Sequence, residues 1–224
     1  MPRRLLLTSS GITNPTLRGA LADLIGKPFA ETDVVYLPTA ALADPGDHGW
    51  FVENLNRAHG LGWREFDVLD LDGLPRDVVI ERLLHADVVY AEGGNHYHLA
   101  RSLVRNDLTD VLLEALETRV YVGVSAGSMI FSRHLTTRSA EAMGDLADLH
   151  LLGAETIEPP FGLFDWYVKP HLGSPGFPDR DDAWADRLAE RADFPLYLID
   201  DDTAIRVRGA DLDVVTEGRW RFHP

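Results

Sequence analysis

The chain has 224 residues, with 36 Asp and Glu against 21 Lys and Arg, a formal net charge of −15 and no Cys. So large an anionic excess argues against a nucleic-acid partner, whose phosphates demand clustered cations. The absence of Cys excludes disulfides, thiolate metal sites and a Cys nucleophile.

In chain order, Arg3-Arg4 precedes only three leucines, too few for the apolar stretch of a secretory signal. No later run approaches the ~20 apolar residues of a membrane helix, so a cytoplasmic protein with no membrane partner is expected. The pattern then predicts a strand over Arg4–Thr8, a helix over Thr16–Leu24, a strand over Asp33–Leu37 and a helix over His48–His59. A strand over Glu65–Leu69, a helix over Arg76–His85 opened by Pro75 and a strand over Asp87–Ala91 follow. Helices are predicted over Tyr97–Val104 and, after Asp107, Leu108–Leu116, then a strand over Val120–Val124. Strands over Trp166–Lys169 and Leu196–Ile199 flank a helix over Ala183–Ala192. Thr203–Val207 and Leu212–Thr216, joined by Arg208-Gly-Ala-Asp211, read as a hairpin on a sheet edge. Runs such as Val34-Val-Tyr-Leu37 are apolar on consecutive residues, the mark of strands covered on both faces. The expected fold is α/β: one domain over residues 1–224, a three-layer, mostly parallel sheet with helices on both faces. No repeat or linker interrupts it, and the Gly- and Pro-rich stretch from Ser139 to Arg180 reads as an irregular rim for a site.

Chemistry concentrates at strand ends. Gly123-Val-Ser125-Ala-Gly127 is a G-x-S-x-G element between a predicted strand and a helix-compatible segment. Such a turn lifts Ser125 off the backbone as a nucleophile. Ala91-Glu-Gly93-Gly94-Asn95 follows another strand, and in an open parallel sheet that end lies beside Ser125. Its glycines let a backbone amide approach an oxyanion. His96-Tyr-His98 lacks a third ligand at a metal-binding spacing, so no metal is expected. His171, at the end of Trp166–Lys169, is placed to act as base, and Asp200-Asp201-Asp202 offers three candidate orienting acids. The order Ser, His, acid differs from the Ser, acid, His order of α/β-hydrolases.

On Gly93-Gly94-Asn95, Gly123-Val-Ser125-Ala-Gly127, Pro170-His171 and Asp201-Asp-Thr-Ala204, the sequence resembles the peptidase S51 family, which includes peptidase E (α-aspartyl dipeptidase) and cyanophycinase. The resemblance implies a class I glutamine amidotransferase-like fold with the hairpin at its edge. It also implies Ser125 as nucleophile, His171 as base and Asp201 as orienting acid, with the Gly94 and Ala126 amides as oxyanion hole. Asp201 stands where the family usually has Glu, and Thr136-Thr137 is followed by Arg138-Ser139, where aspartyl dipeptidases carry Asp. Arg180 would hold an acidic substrate side chain, or else pair with Asp179, Asp181 or Asp182 at the entry to the following helix, and Asn95 would also contact substrate. The implied activity is a serine exopeptidase acting on small peptides, chiefly dipeptides with N-terminal aspartate, without cofactor, as monomer or homodimer. A cyanophycinase-like or isoaspartyl hydrolase, or a non-catalytic small-molecule-binding domain on the same fold, are the alternatives.

Overall fold

The computed structural model describes residues 3–224. The first half alternates strand and helix: β1 (Arg4–Thr8), α1 (Pro15–Ile25), β2 (Asp33–Leu37), α2 (Gly49–His59), β3 (Glu65–Val68), α3 (Arg76–His85), β4 (Val88–Ala91), α4 (His96–Arg105), α5 (Thr109–Ala115) and β5 (Val120–Val124). After it come α6 (Ala126–Met129), α7 (Thr137–Met143), α8 (Leu146–Leu151), β6 (Tyr167–Lys169), α9 (Asp182–Arg191), β7 (Leu196–Ile199), β8 (Thr203–Arg208), β9 (Asp211–Thr216) and β10 (Trp220–His223).

The main sheet has the order β3-β2-β4-β5-β1-β8-β9. Its first five strands are parallel, while β8 and β9 add the expected antiparallel edge hairpin. Alternation along buried strands divides the core into two layers. Leu5, Leu7, Val35, Val89 and Tyr121 face Val79, Leu83, Leu103 and Leu112 of α3, α4 and α5. Leu6, Val34, Tyr36, Val88 and Val122 face Leu17, Leu21 and Leu24 of α1. Each such side chain contributes about 1.5–3 kcal/mol by leaving water. The helix α1 shows how local sequence sets boundaries: Asn14 accepts from the Leu17 amide at 2.9 Å, Pro15 opens the first turn, and Gly26 closes it in the left-handed region.

Two expectations need correction. The strands near 166–169 and 196–199 do not extend the main sheet; they form a second sheet, β10-β7-β6, with the unforeseen β10. The stretch from Ser139 onward is not wholly irregular, because α7 and α8 occupy its start. Thr136 and Ser139 cap α7 reciprocally, at 3.3 and 3.0 Å, with Ser in the place of the usual Glu or Gln.

The register positions the site. Thr8 pairs with Val124 and Ala91 with Gly123, so β1, β4 and β5 end together and bring Ser9, Glu92–Gly94 and Ser125 to one edge. No helix among the described residues is long and apolar enough to cross a membrane.

Candidate active site

Ser125 lies between β5 and α6 at φ 45°, ψ −104°, a backbone region that costs about 1–3 kcal/mol for a residue with a side chain. The surroundings require glycine on both sides. A Cβ at Gly123 would meet Gly127 backbone atoms at 2.7 Å, and one at Gly127 would meet the Ala91 carbonyl oxygen at 2.3 Å. Hydrogen bonds hold the turn from outside: the Ser125 amide and Ser128 hydroxyl donate to the Thr8 carbonyl at 3.0 and 2.7 Å. The Tyr121 hydroxyl donates to the Gly127 carbonyl at 2.7 Å.

His171 follows β6 by two residues and also has a positive φ, 69°. Its backbone amide donates to Ser9 Oγ at 2.9 Å, which fixes the turn. The ring reaches Ser125 Oγ through Nε2 at 3.0 Å and Asp201 Oδ1 through Nδ1 at 2.7 Å. With Asp201 accepting the Nδ1 proton, Nε2 is left free to accept from the Ser125 hydroxyl. Ser9 Oγ donates to the same Asp201 oxygen at 2.8 Å. Phe177 stacks on the imidazole, with centroids 4.3 Å apart.

Burial opposes charge on both partners but does not win on both. It pushes His171 below the ordinary imidazole value, against the raising influence of Asp201. At Asp201 burial is outweighed by hydrogen bonds from His171, Ser174 and Ser9, which hold the carboxyl well below the usual range. Of the other two candidate acids, Asp200 accepts from Thr203 Oγ1 at 2.6 Å and the Asp202 amide at 3.1 Å. Asp202 is occupied by the Thr13 hydroxyl at 3.0 Å. Only Asp201 of the three meets His171.

Ser125 and His171 open into a cavity of about 480 Å³. Gly94 lies on its wall, and Ala126 begins α6, where a first-turn amide has no intrahelical acceptor. Arg180 also lines it. Its guanidinium donates to the Pro170 carbonyl at 3.1 Å and lies 4.1 Å over the Phe177 ring, and it makes no ion pair among the described residues. Pairing with Asp179, Asp181 or Asp182 is therefore absent, and Asp181 instead caps α9.

Asn95 is not brought to the cavity. Its side chain accepts from the His98 amide at 3.0 Å as the cap of α4 and donates to the Asp148 carbonyl at 2.8 Å, which replaces the expected substrate contact with a structural role.

Sequence reasoning missed four groups here. Ser9 sits at the end of β1, and the strand-end rule that located Gly93-Gly94 would have found it. Lys169 and Asp145 form a buried ion pair on the cavity wall. His96 is buried with Nε2 unbonded, and burial pushes it down to about 3. Glu92 is buried at the head of the Gly93-Gly94 turn. As for metals, Asp33, Glu65 and His85 bring ligand atoms within 4.8 Å of one another. They lie at the opposite end of the sheet, where Arg64 already holds Asp33 through both carboxylate oxygens.

A family model, peptidase family S51, matches residues 5–215. An uncharacterized peptidase of Pasteurella multocida is 25% identical over 175 residues, 78% of this chain and 80% of that protein. Peptidase E of Streptomyces coelicolor is 28% identical over 140 residues, 58% of this chain and 52% of the relative. A probable alpha-aspartyl dipeptidase of Drosophila melanogaster is 27% identical over 132 residues, again 58% of this chain and 53% of the relative. The crystal structure of a putative peptidase E from Listeria monocytogenes superposes with a TM-score of 0.77 at 21% identity, over 97% of this chain and 100% of that one.

Proposed function

The chain belongs to peptidase family S51, and from that premise we propose that it is a serine peptidase that removes N-terminal aspartate from dipeptides. The observation that carries this reading is His171, bonded through one nitrogen to Ser125 and through the other to Asp201. Ser125 Oγ attacks the scissile carbonyl carbon while its proton passes to His171 Nε2. The negative charge that develops on the carbonyl oxygen is received by the Gly94 and Ala126 amides. The tetrahedral intermediate expels the amine, which takes the proton from His171. Water then attacks the acyl-enzyme with His171 as base and releases the acid. Asp201 keeps the imidazole in the required tautomer and stabilises it once protonated.

Arg180 supports the acidic preference. It is a cation without an ion-pair partner among the described residues, on the wall of a small cavity in a strongly anionic chain, and a guanidinium matches a carboxylate in two-point geometry. Hydrolysis of a dipeptide panel varied at the N-terminal residue tests the reading, with Ser125→Ala as control. Rapid turnover of Asp-led dipeptides by the wild type and none by the variant is expected. Full activity in Ser125→Ala, or equal rates across the panel, would overturn it.

A further inference from the structure

Glu92 is 0% exposed and stands immediately before the Gly93-Gly94 turn. Its Oε1 accepts from the Gly93 amide at 2.7 Å and from Asn54 Nδ2 at 3.2 Å, while Oε2 meets the Tyr36 hydroxyl. Strand β2 and helix α2 are thereby tied to the turn through one carboxyl group. The neighbouring amides are similarly engaged. Gly93 N–H is taken by Glu92, and Asn95 N–H donates to the Ala40 carbonyl at 2.9 Å. Gly94 N–H is left without an acceptor among the described residues. The Gly94 backbone itself, at φ 122°, packs so closely that a Cβ would lie 2.4 Å from the Ala40 carbonyl oxygen.

We propose that Glu92 is a positioning residue for the serine reaction: its carboxyl group clamps the Gly93 amide and so orients the next peptide, whose N–H receives the oxyanion. The inference rests on the serine-peptidase reading above and adds to it the group that holds the oxyanion-binding turn.

Full burial without a bonded cation among the described residues argues for the uncharged form. The Gly93 amide and Asn54 donate to Oε1 and the Tyr36 hydroxyl donates to Oε2, and none of these donors carries a charge. A carboxylate sealed from water without a bonded cation is strongly disfavoured. Burial pushes the Glu92 carboxyl up, against opposing hydrogen bonds from Tyr36, Gly93 and Asn54. The titratable and charged groups facing it are Tyr36 on β2, Tyr90 on β4 and Arg57 on α2. Burial raises both tyrosines, and the exposed Arg57 side chain is bonded to the Ser10 carbonyl at 2.9 Å rather than to Glu92. Ionised Glu92 would set a negative charge against the Gly93 amide, next to the Gly94 amide that must receive another. Turnover therefore declines as the pH rises through its titration, while substrate binding is little affected.

The test measures kcat and KM from about pH 5 to 10 for the wild type, Glu92→Gln and Glu92→Leu, with Ser125→Ala alongside. Gln keeps an acceptor for Gly93 and Asn54, donates to Tyr36 and cannot ionise. Its kcat is expected roughly two- to fivefold below wild type at neutral pH, as for one altered hydrogen bond, without the wild-type alkaline decline. Leu removes the clamp, and kcat is expected to fall about 10²-fold while KM stays within about threefold. Superimposable pH profiles for wild type and Gln, or a folded Leu variant with kcat within about threefold of wild type, would overturn the proposal. If Leu does not fold, the Gln profile decides alone. Activity in Ser125→Ala would instead overturn the underlying serine reading, and the inference with it.

Discussion

Gly127 lies so close to Ala91 that a methyl group at position 127 would stand 2.3 Å from the Ala91 carbonyl oxygen. This contact joins the turn that carries Ser125 to the strand that leads into Glu92-Gly93-Gly94. Ser125 and the proposed oxyanion-binding turn are thus held against each other by backbone packing, with no side chain between to adjust.

Gly127→Ala accordingly is expected to cost about 2–4 kcal/mol of stability and most of the activity, since backbone rather than a movable side chain must give way. Gly19→Ala is the control: it lies in α1, where an added methyl group would find nothing within 4 Å. It should gain about 0.5–1 kcal/mol. Chemical denaturation of both variants checks the contrast, and equal effects would refute it.

Because burial lowers the His171 pKa, its neutral ring persists to lower pH than an ordinary imidazole. The acid limb of kcat/KM should therefore inflect below the usual value of about 6.5. Asp201→Asn removes a group that raises that pKa, so the limb should move further down while kcat falls by about 10³-fold or more. A limb at or above the ordinary value in the wild type would show that another group controls activity.

Arg180→Met should raise KM for Asp-led dipeptides about 10²-fold, the loss of one charged contact, and change neutral-led substrates only a few-fold. Steady-state kinetics on paired Asp- and Ala-led dipeptides decide. Equal effects on both sets would make Arg180 structural.

Lys169→Met should destabilise the fold by about 3–5 kcal/mol by stranding the Asp145 charge in the interior, and adding Asp145→Leu should restore most of the loss. Burial opposes the Asp145 charge, but Lys169 beside it holds the carboxyl below the usual range. A carboxyl lowered on folding stabilises above its unfolded pKa of about 3.9 and loses that contribution as pH falls through the folded value. Thermal midpoints measured from neutral to strongly acidic pH should fall less in the double variant than in the wild type.

The parallel half of the fold was legible because its signals are local. Strands buried on both faces show consecutive apolar residues, and Pro75 marks the start of α3 at Arg76. That Ser125, His171 and Asp201 meet in space was legible from their positions at strand ends and from the resemblance. The three-residue β6 and the edge strand β10 carry too little periodicity to reveal that they pair elsewhere. Asn95 illustrates the converse. A polar residue beside a glycine pair suits substrate contact and helix capping equally well in sequence, and only the bonds to His98 and Asp148 separate them. Glu92 was unreadable because nothing nearby in sequence announces Tyr36 and Asn54 as its partners.

The line from Ser125 through His171 to Asp201 crosses from one sheet to the other. Ser125 follows β5 of the large sheet, His171 follows β6 of the small one, and Asp201 lies in the turn by which the chain passes from β7 of the small sheet to β8 of the large. Hydrolysis therefore acts as a gauge of the seam between the two sheets. A slip of about one ångström along that seam would separate the hydroxyl from the ring while every strand kept its neighbours. Under gradual heating, peptide cleavage should fade before circular dichroism registers any loss of sheet or helix, and a molecule can lose its trade while keeping its shape.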